Sequence, residues 1–261
     1  GNATPDLVIR VNTIKTSRED LKARVIAKGY EAKDGLLCKQ ALHMKGSGLL
    51  DGRLYERGMF SVQDESSMLV VNILDPQPDE LIMDVCAAPG GKSLAIAEKM
   101  YNRGQVIARD IYRRKLSIID KESKRLGIDI IQTATWDATR VDSSMIDKAD
   151  RVLVDAPCSG LGVVRRKPEI KYKKQTAEID ELPRKQLSIL SASSKYVKPG
   201  GVLVYSTCTI SPYENQKVIK DFLKRNPYFI KEEELQLLPN INNTDGFFIC
   251  KMRKEKLYMS E

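Results

Sequence analysis

The spacing of hydrophobic residues divides the chain into a short leading part and a longer second part. In the leading part, Leu7–Asn12 has the apolar pattern of a strand, and Leu21 and Val25 recur at helical spacing. Thr16, with Glu19 three residues later, has the pattern of a capping box at the start of that helix. The leading part is therefore predicted to be a small α+β unit, which we place at residues 1–58.

In the second part, residues 59–261, short apolar runs alternate with amphipathic segments. Helices are expected after Asp64, from about Lys92, and over Arg113–Leu126, where Gly127 ends the helix. Strands and helices in alternation favour a parallel, doubly wound α/β sheet. The predicted strands are Leu81–Val85, Gln105–Ala108, Ile128–Thr133, one ending at Asp155 and one ending at Tyr205.

Three local signals predict breaks between these elements. Pro183 is expected to interrupt a helical stretch, because proline removes a backbone donor. Lys198–Gly201 has the composition of a turn. Ser211–Glu214 combines a capping box with a proline at the first helical position, and so predicts the start of another helix.

Composition limits the class of protein. The 261 residues include 43 Lys and Arg against 35 Asp and Glu, a formal net charge of +8. This excess fits a nucleic-acid partner, and it fits an ordinary soluble surface as well. No apolar run is long enough for a membrane span, the start lacks a signal-peptide pattern, and the five cysteines form no C-x-x-C pair. We therefore expect a cytoplasmic protein with free thiols, no metal and no membrane contact.

Two cysteines each follow a predicted strand. Cys158 comes after the apolar run of residues 151–155, and Cys208 comes after residues 202–205. Ligands of an open α/β sheet bind outside the carboxyl ends of its strands, so both thiols are expected to face one crevice. A free cysteine is most often a small buried hydrophobe, but two at one crevice indicate chemistry that needs a soft nucleophile.

A loop of small residues follows the first strand of the second part, at Asp84–Ser93. Small residues let a ligand approach the backbone, and the N–H groups of the next helix point at that ligand. A phosphate-binding P-loop would need glycine where this chain has Cys86, and the dinucleotide pattern G-x-G-x-x-G is absent. The loop therefore predicts a cofactor with an adenosine but no pyrophosphate, of which S-adenosylmethionine is the obvious member.

Two aspartates after the next strands strengthen this prediction. Asp110 ends the second strand, where an acidic group accepts hydrogen bonds from ribose hydroxyls. Asp137 follows the third strand and is expected to meet the adenine. The alternative for either aspartate alone is an ordinary helix cap or turn residue.

Two thiols beside a methyl donor suit methylation at carbon 5 of a pyrimidine. That carbon is a poor nucleophile, so a thiolate first adds to carbon 6, and a second group on the same face assists deprotonation or release. Asp155 is placed to bind the amino group or ring nitrogen of a cytosine. Spacing alone does not decide which of Cys158 and Cys208 attacks. A packing role is preferred for Cys38, Cys86 and Cys250.

Six segments of the chain together form a recognisable set of motifs. They are Arg10–Asn12, Gln63–Ser67, Asp84–Lys92, Asp155–Gly160, Ser206–Thr209 and Thr244–Lys251. This set resembles that of the RNA 5-methylcytosine methyltransferases and covers nearly the whole chain. Gly162–Tyr172 additionally resembles the bacterial members that act on 16S ribosomal RNA.

The resemblance implies a Rossmann-like, class I S-adenosylmethionine-dependent methyltransferase domain with a doubly wound mixed sheet. It implies that Cys208 is the nucleophile and that Cys158 assists release of the methylated product. Asp155 and Lys92 complete the implied catalytic group, with Lys92 near the target base. The implied cofactor-binding residues are Ala87, Ala88, Pro89, Gly90, Gly91, Lys92, Ser93, Asp110, Lys115, Asp137 and Asp155.

RNA contact is expected from basic and polar residues beside the crevice, where they would neutralise phosphates. The alternative for the basic loop after Cys158 is a solvated charged segment. His43 lies in the leading part and is not expected to be the general base. The predicted RNA-binding residues are Arg10, Asn12, Arg165, Arg166, Lys167 and Lys171.

We therefore expect a monomeric enzyme that methylates carbon 5 of a specific cytosine in RNA, with 16S ribosomal RNA as substrate and an RNA-binding leading unit. One alternative is the same chemistry on transfer RNA. The other is a non-catalytic RNA-binding factor of ribosome assembly, which would have no need of both thiols. Bacterial members of this type usually begin with a helical NusB-like domain, whereas this sequence starts just before Arg10–Asn12.

Overall fold

The computed structural model describes residues 7–46, 48–163, 176–239 and 244–256. The leading part forms a four-stranded antiparallel sheet in the order β2-β3-β1-β4. Its strands are β1 (Leu7–Val11), β2 (Glu31–Asp34), β3 (Ala41–Lys45) and β4 (Phe60–Val62). Helices α1 (Arg18–Ala27) and α2 (Arg53–Glu56) accompany this sheet.

The N-cap of helix α1 lies one residue later than predicted. Ser17, not Thr16, is the N-cap, and its hydroxyl accepts a hydrogen bond from the Asp20 backbone N–H at 3.1 Å. The capping-box prediction was wrong because a serine follows the threonine and takes the capping position. Leu21 and Val25 are fully buried, as their spacing predicted.

The antiparallel sheet extends beyond the predicted boundary at residue 58, since β4 pairs with β1. Helix α3 (Glu65–Leu74) then leads into the second part, and it starts directly after Asp64 as expected. The division of the chain at this boundary stays a prediction.

The second part is a seven-stranded mixed sheet in the order β10-β11-β9-β8-β5-β6-β7. Its strands are β5 (Leu81–Asp84), β6 (Gln105–Asp110), β7 (Ile131–Thr135), β8 (Ala149–Asp155), β9 (Val197–Thr207), β10 (Phe229–Leu237) and β11 (Phe247–Lys254). Its helices are α4 (Gly91–Lys99), α5 (Arg113–Leu126), α6 (Thr176–Ser194) and α7 (Gln216–Arg225). Strands β5 to β9 pair in parallel, and β10 and β11 add an antiparallel edge.

Successive side chains of the central strands feed two separate cores. Val204 of β9 packs with α3 and α4 on one face, and its neighbour Tyr205 packs with α6 and α7 on the other. Strand order reverses between β5 and β8, so the carboxyl ends of these strands border a crevice. None of the helices in the described ranges is long and apolar enough to cross a bilayer.

Four local predictions in the second part need correction. The third strand is Ile131–Thr135, which begins three residues and ends two residues later than predicted. Pro183 lies inside α6 without breaking it, because packing of that helix on the sheet outweighs one lost backbone bond. Residues 198–201 form a bulge within β9, with Gly200 at φ +82°, and not a turn before the strand. Ser211–Glu214 is a turn ahead of α7, since the Glu214 carboxylate points into the core.

Candidate active site

The two cysteines predicted to share a crevice are in contact. Cys158 follows β8 and Cys208 follows β9, and their sulfur atoms lie 3.1 Å apart. The strands are parallel neighbours, with Asp155 opposite Ser206, so their following loops leave the sheet side by side. Both thiols are half-buried, which leaves one side of the pair open to a substrate.

The two thiols are electrostatically unequal. A hydrogen bond from the Cys158 thiol to the Cys208 sulfur lowers the pKa of Cys208, and the nearby Lys92 ammonium adds to this effect against opposing burial and the Asp155 charge. The same hydrogen bond, with burial, raises the pKa of Cys158 well above its usual value. Cys208 is therefore the thiol of the pair that ionises more readily, and Cys158 is the one that retains its proton to higher pH.

Lys92 and Asp155 form an ion pair beside the thiols. Lys92 Nζ donates to Asp155 Oδ2 at 2.6 Å, and Ser206 Oγ donates to Asp155 Oδ1 at 2.8 Å. Burial disfavours the lysine charge, but the Asp155 carboxylate outweighs it and raises the pKa of Lys92. The Lys92 ammonium also lies 5.3 Å from the centre of the Phe247 ring. We call Cys158, Cys208, Asp155 and Lys92 the thiol cluster.

The loop over residues 84–93 is tightly held and lined by small residues. Ser93 Oγ donates to Asp84 Oδ2 at 2.6 Å, and burial raises the Asp84 pKa to about 7. Gly90 has φ +108°, and a Cβ there would come within 2.5 Å of the Ile119 side chain. Glycine is therefore required at this position, where the loop turns into α4.

Asp110 is connected to this loop directly. Its Oδ2 accepts the Ala88 N–H at 3.1 Å, and its Oδ1 accepts the Tyr112 N–H at 3.0 Å. Each carboxylate oxygen has a second lone pair, so Asp110 retains acceptor capacity for a ribose hydroxyl. The loop backbone and this carboxylate together fit an adenosine-bearing cofactor at the carboxyl edge of β5 and β6.

Asp137 and Lys115 lie farther along this edge. Asp137 Oδ1 accepts the Thr139 N–H at 3.0 Å and is partly exposed, with Oδ2 bound only loosely by Arg140 at 3.8 Å. Lys115 is exposed, with its ammonium 4.6 Å from the centre of the Tyr112 ring. Neither has a hydrogen bond to the loop over residues 84–93. Their cofactor roles stay predictions, as do those of Asp110, Asp155 and the loop residues.

Two of the predicted RNA-binding residues have a different role. Arg10 is 1% exposed, and its guanidinium forms a bidentate ion pair with Glu98 at 2.8 and 3.0 Å. It also donates to the Gln63 side chain and to the Gly91 carbonyl at 3.0 Å. The prediction that Arg10 contacts RNA was wrong, because a guanidinium that is buried and bound to internal partners is out of reach of a phosphate. We call Arg10, Gln63 and Glu98 the Arg10 cluster.

Asn12 was predicted wrongly for the same reason. It is fully buried, and its amide donates to the carbonyls of Gly58 and Leu126, each at 2.9 Å. It therefore joins the leading sheet to the end of α5. The remaining predicted RNA contacts, Arg165, Arg166, Lys167 and Lys171, lie outside the described residues.

The other cysteines have the surroundings of packed side chains. Burial raises the pKa of both Cys38 and Cys250 to about 12. Burial likewise raises the pKa of Cys86 well above its usual value. His43 binds the Glu65 carboxylate at 2.6 Å in the leading sheet, in agreement with a structural role.

The sequence patterns missed one buried residue beside the site. Glu214 was interpreted as part of a capping box, yet its carboxylate binds the backbone N–H of Ser159, directly after Cys158. A local pattern cannot reveal this contact, because the two residues are far apart in the chain. The pairing of Ser206 with Asp155 was equally invisible before β8 and β9 were known to be neighbours.

Comparison with known proteins decides the family. The family described as 16S rRNA methyltransferase RsmB/F matches residues 71–253. The chain belongs to this family. The expected resemblance and the Rossmann-like fold are thereby confirmed, and so is S-adenosylmethionine as the cofactor of a methyltransferase of this family.

Individual similar proteins align with almost the whole of this chain. A Bacillus subtilis (strain 168) protein named "Probable ribosomal RNA small subunit methyltransferase B" is 42% identical over 96% of this chain, which spans only 60% of that protein. A solved structure described as a methyltransferase homolog protein from Pyrococcus horikoshii is 28% identical, with a TM-score of 0.86. The match covers 96% of this chain and 87% of the Pyrococcus chain. NSun6 from the same organism, solved with SFG, shares the fold at 24% identity and a TM-score of 0.88, over 97% and 92% of the two chains.

Proposed function

We propose that this protein transfers a methyl group from S-adenosylmethionine to carbon 5 of a cytosine in 16S ribosomal RNA. The observation that carries the proposal is the contact of two unequal thiols at the carboxyl edge of β8 and β9. A cytosine-5 methyltransferase needs one thiolate for attack and one group that assists release. The choice of 16S ribosomal RNA rests on the family and on the name of the Bacillus relative.

The first step is addition of the Cys208 thiolate to carbon 6 of the cytosine. A carbon–sulfur bond forms, the ring double bond opens, and its electron pair moves to carbon 5, which becomes nucleophilic. Asp155 stands beside this thiolate and accepts a hydrogen bond from the amino group of the base. Lys92 holds that carboxylate in place through the 2.6 Å ion pair.

The loop over residues 84–93 and Asp110 would hold the cofactor. When bound, S-adenosylmethionine supplies the methyl group that carbon 5 takes up. The small residues of the loop let this donor approach the thiol cluster closely, since Lys92 belongs to the helix that starts there.

The final step reverses the covalent attachment. Solvent takes the proton from carbon 5, the ring double bond forms again, and the carbon–sulfur electron pair returns to Cys208 as a thiolate. The Cys158 thiol donates a hydrogen bond to the departing sulfur, which stabilises it as a leaving group. Cys158 is therefore expected to matter most after methyl transfer.

The test combines a map of methylcytosine with capture of the covalent adduct. The purified protein is incubated with 16S ribosomal RNA or with transfer RNA, and product cytosines are mapped by sequencing. Cys158→Ala is expected to build up a protein–RNA adduct that survives denaturant, because release is slowed. If only transfer RNA is methylated, transfer RNA and not 16S ribosomal RNA is the substrate. If the adduct still forms in Cys208→Ala, the roles of the two thiols are reversed. Absence of both product and adduct would favour the non-catalytic factor.

A further inference from the structure

A buried carboxylate lies behind the two thiols. Glu214 is 1% exposed, and its Oε2 accepts the Ser159 backbone N–H and the Gln186 side-chain amide, both at 2.9 Å. The same Gln186 amide also donates to the Pro157 carbonyl at 3.0 Å. Glu214 and Gln186 are thus hydrogen-bonded to the backbone on both sides of Cys158, at Ser159 and Pro157.

The loop of Cys208 is attached to the same group. Thr209 Oγ1 lies 2.8 Å from Ser159 Oγ, which joins the residues that directly follow the two cysteines. Thr209 Oγ1 is also 3.5 Å from Glu214 Oε1, a weak contact. Asn215, next to Glu214, donates its amide to the Thr209 carbonyl at 3.0 Å. One short segment therefore holds both cysteine loops.

The Glu214 carboxylate is held by neutral groups. Among the described residues, no lysine or arginine forms an ion pair with Glu214, and its bonds come from neutral donors. Burying a carboxylate in this way costs free energy that only several good hydrogen bonds offset. The carboxylate in return fixes two loops whose sulfur atoms must stay 3.1 Å apart.

We propose that Glu214 is a positioning residue for the thiol pair, which sets the Cys158 thiol against the Cys208 sulfur. The consequence for methyl transfer rests on the proposed function, whereas the effect on the thiols themselves does not. Without Glu214 the Ser159 N–H loses its acceptor, the loop of Cys158 relaxes, and the hydrogen bond between the sulfurs lengthens.

The direct test is titration of the thiols by their ultraviolet absorbance, without RNA or cofactor. Only Cys208 is expected to ionise below the usual range, because the pKa of each of the other four cysteines is raised. Glu214→Ala should move the Cys208 midpoint upward by about one pH unit, the effect expected when a hydrogen bond to a charged group weakens. Glu214→Gln keeps an acceptor oxygen but loses the charge that strengthens its hydrogen bonds, so it should move the midpoint upward by a smaller, still measurable amount.

The matched control is Glu65→Gln, in another buried carboxylate that binds backbone N–H groups. Glu65 accepts from Leu36, Leu37 and Cys38 in the loop between β2 and β3, and it has no hydrogen bond to the thiol pair. This variant should have a lower melting temperature and an unchanged Cys208 midpoint. Cys38, which lies beside Glu65, should not add to the titration in this range, because burial is the main cause of its raised pKa. An equal shift in Glu65→Gln would mean general loosening and would overturn the proposal.

An activity measurement separates this proposal from the proposed function. With RNA and cofactor, Glu214→Gln should lower kcat several-fold while KM for the cofactor stays within about twofold, since Glu214 has no contact with the cofactor loop. A Glu214→Gln titration identical to that of the parent protein would overturn the positioning role, even if Glu214→Ala fails to fold. A parent protein that shows the expected titration but methylates no RNA would refute the proposed function and leave the positioning role standing.

Discussion

The Arg10 cluster and the thiol cluster both include residues from the motifs of the sequence, but their surroundings and roles differ. In the Arg10 cluster a full positive charge meets a full negative charge, with both side chains at most 4% exposed. In the thiol cluster Asp155 is 27% exposed and the sulfurs are half-buried. A buried charge bound to internal partners supports the fold, whereas a partly open charge is available to a substrate.

The two clusters also differ in the pKa shifts of their titratable groups. Burial raises the pKa of Glu98, and the Arg10 guanidinium opposes that shift. The thiols instead share one hydrogen bond between two like groups, which displaces their pKa values in opposite directions. Asymmetry of this kind is typical of acid–base and nucleophilic chemistry.

The largest expected effect is at the attacking thiol. Cys208→Ala should reduce methyl transfer by about 10⁴-fold or more, because the covalent route to carbon 5 is lost. Cofactor affinity by calorimetry should remain nearly unchanged, since Cys208 is not part of the loop over residues 84–93. Cys38→Ala, in the loop between β2 and β3, is the control and should retain activity. Full activity in Cys208→Ala would remove the distinction between the two clusters.

The Arg10 cluster should respond in stability and not in RNA contact. Arg10→Ala leaves the Glu98 carboxylate buried without its partner and should cost about 3–5 kcal/mol of unfolding free energy, measured by urea denaturation. The double variant Arg10→Met with Glu98→Leu should recover much of that loss, because no charge is then left unpaired. If Arg10→Ala kept the unfolding free energy of the parent protein and bound RNA more weakly, the prediction that Arg10 contacts RNA would be correct after all.

A smaller effect is expected at the cofactor edge. Asp110→Ala should weaken S-adenosylmethionine binding by about 1–3 kcal/mol if a hydrogen bond to the ribose is lost. Asp110→Asn retains an acceptor oxygen for the Ala88 N–H and should lose less. Equal affinities for parent and Asp110→Ala by calorimetry would contradict the assignment.

The smallest effect is a displacement of the pH profile. Adduct formation needs Cys208 as thiolate, so its rate should rise with pH through a midpoint below the ordinary thiol value of 9.0. Cys158→Ala removes the hydrogen-bond donor that lowers this pKa, so the midpoint should move toward higher pH. Single-turnover adduct formation across pH measures both; coincident profiles would show that Cys158 has no influence on the attacking sulfur.

Predictions from local sequence were correct where the residues of one segment alone determine its structure. Helix α5 spans Arg113–Leu126 as predicted, because a left-handed Gly127 ends it and the apolar stripe decides its face. The cysteine pair could be expected because parallel neighbouring strands release their loops at one edge. Pro183 and the Ser211–Glu214 box failed because contacts from distant segments outweighed a local preference.

By itself, the sequence determined the alternation of strands and helices, the small-residue loop and the place of the thiols after two strands. It did so because side-chain spacing and turn chemistry act over a few neighbouring residues. Only the tertiary structure decided that Arg10 and Asn12 are internal, that Glu214 reaches the loop of Cys158, and which thiol holds the proton. Burial and hydrogen bonding between remote segments set these properties, since they depend on which groups the fold removes from water.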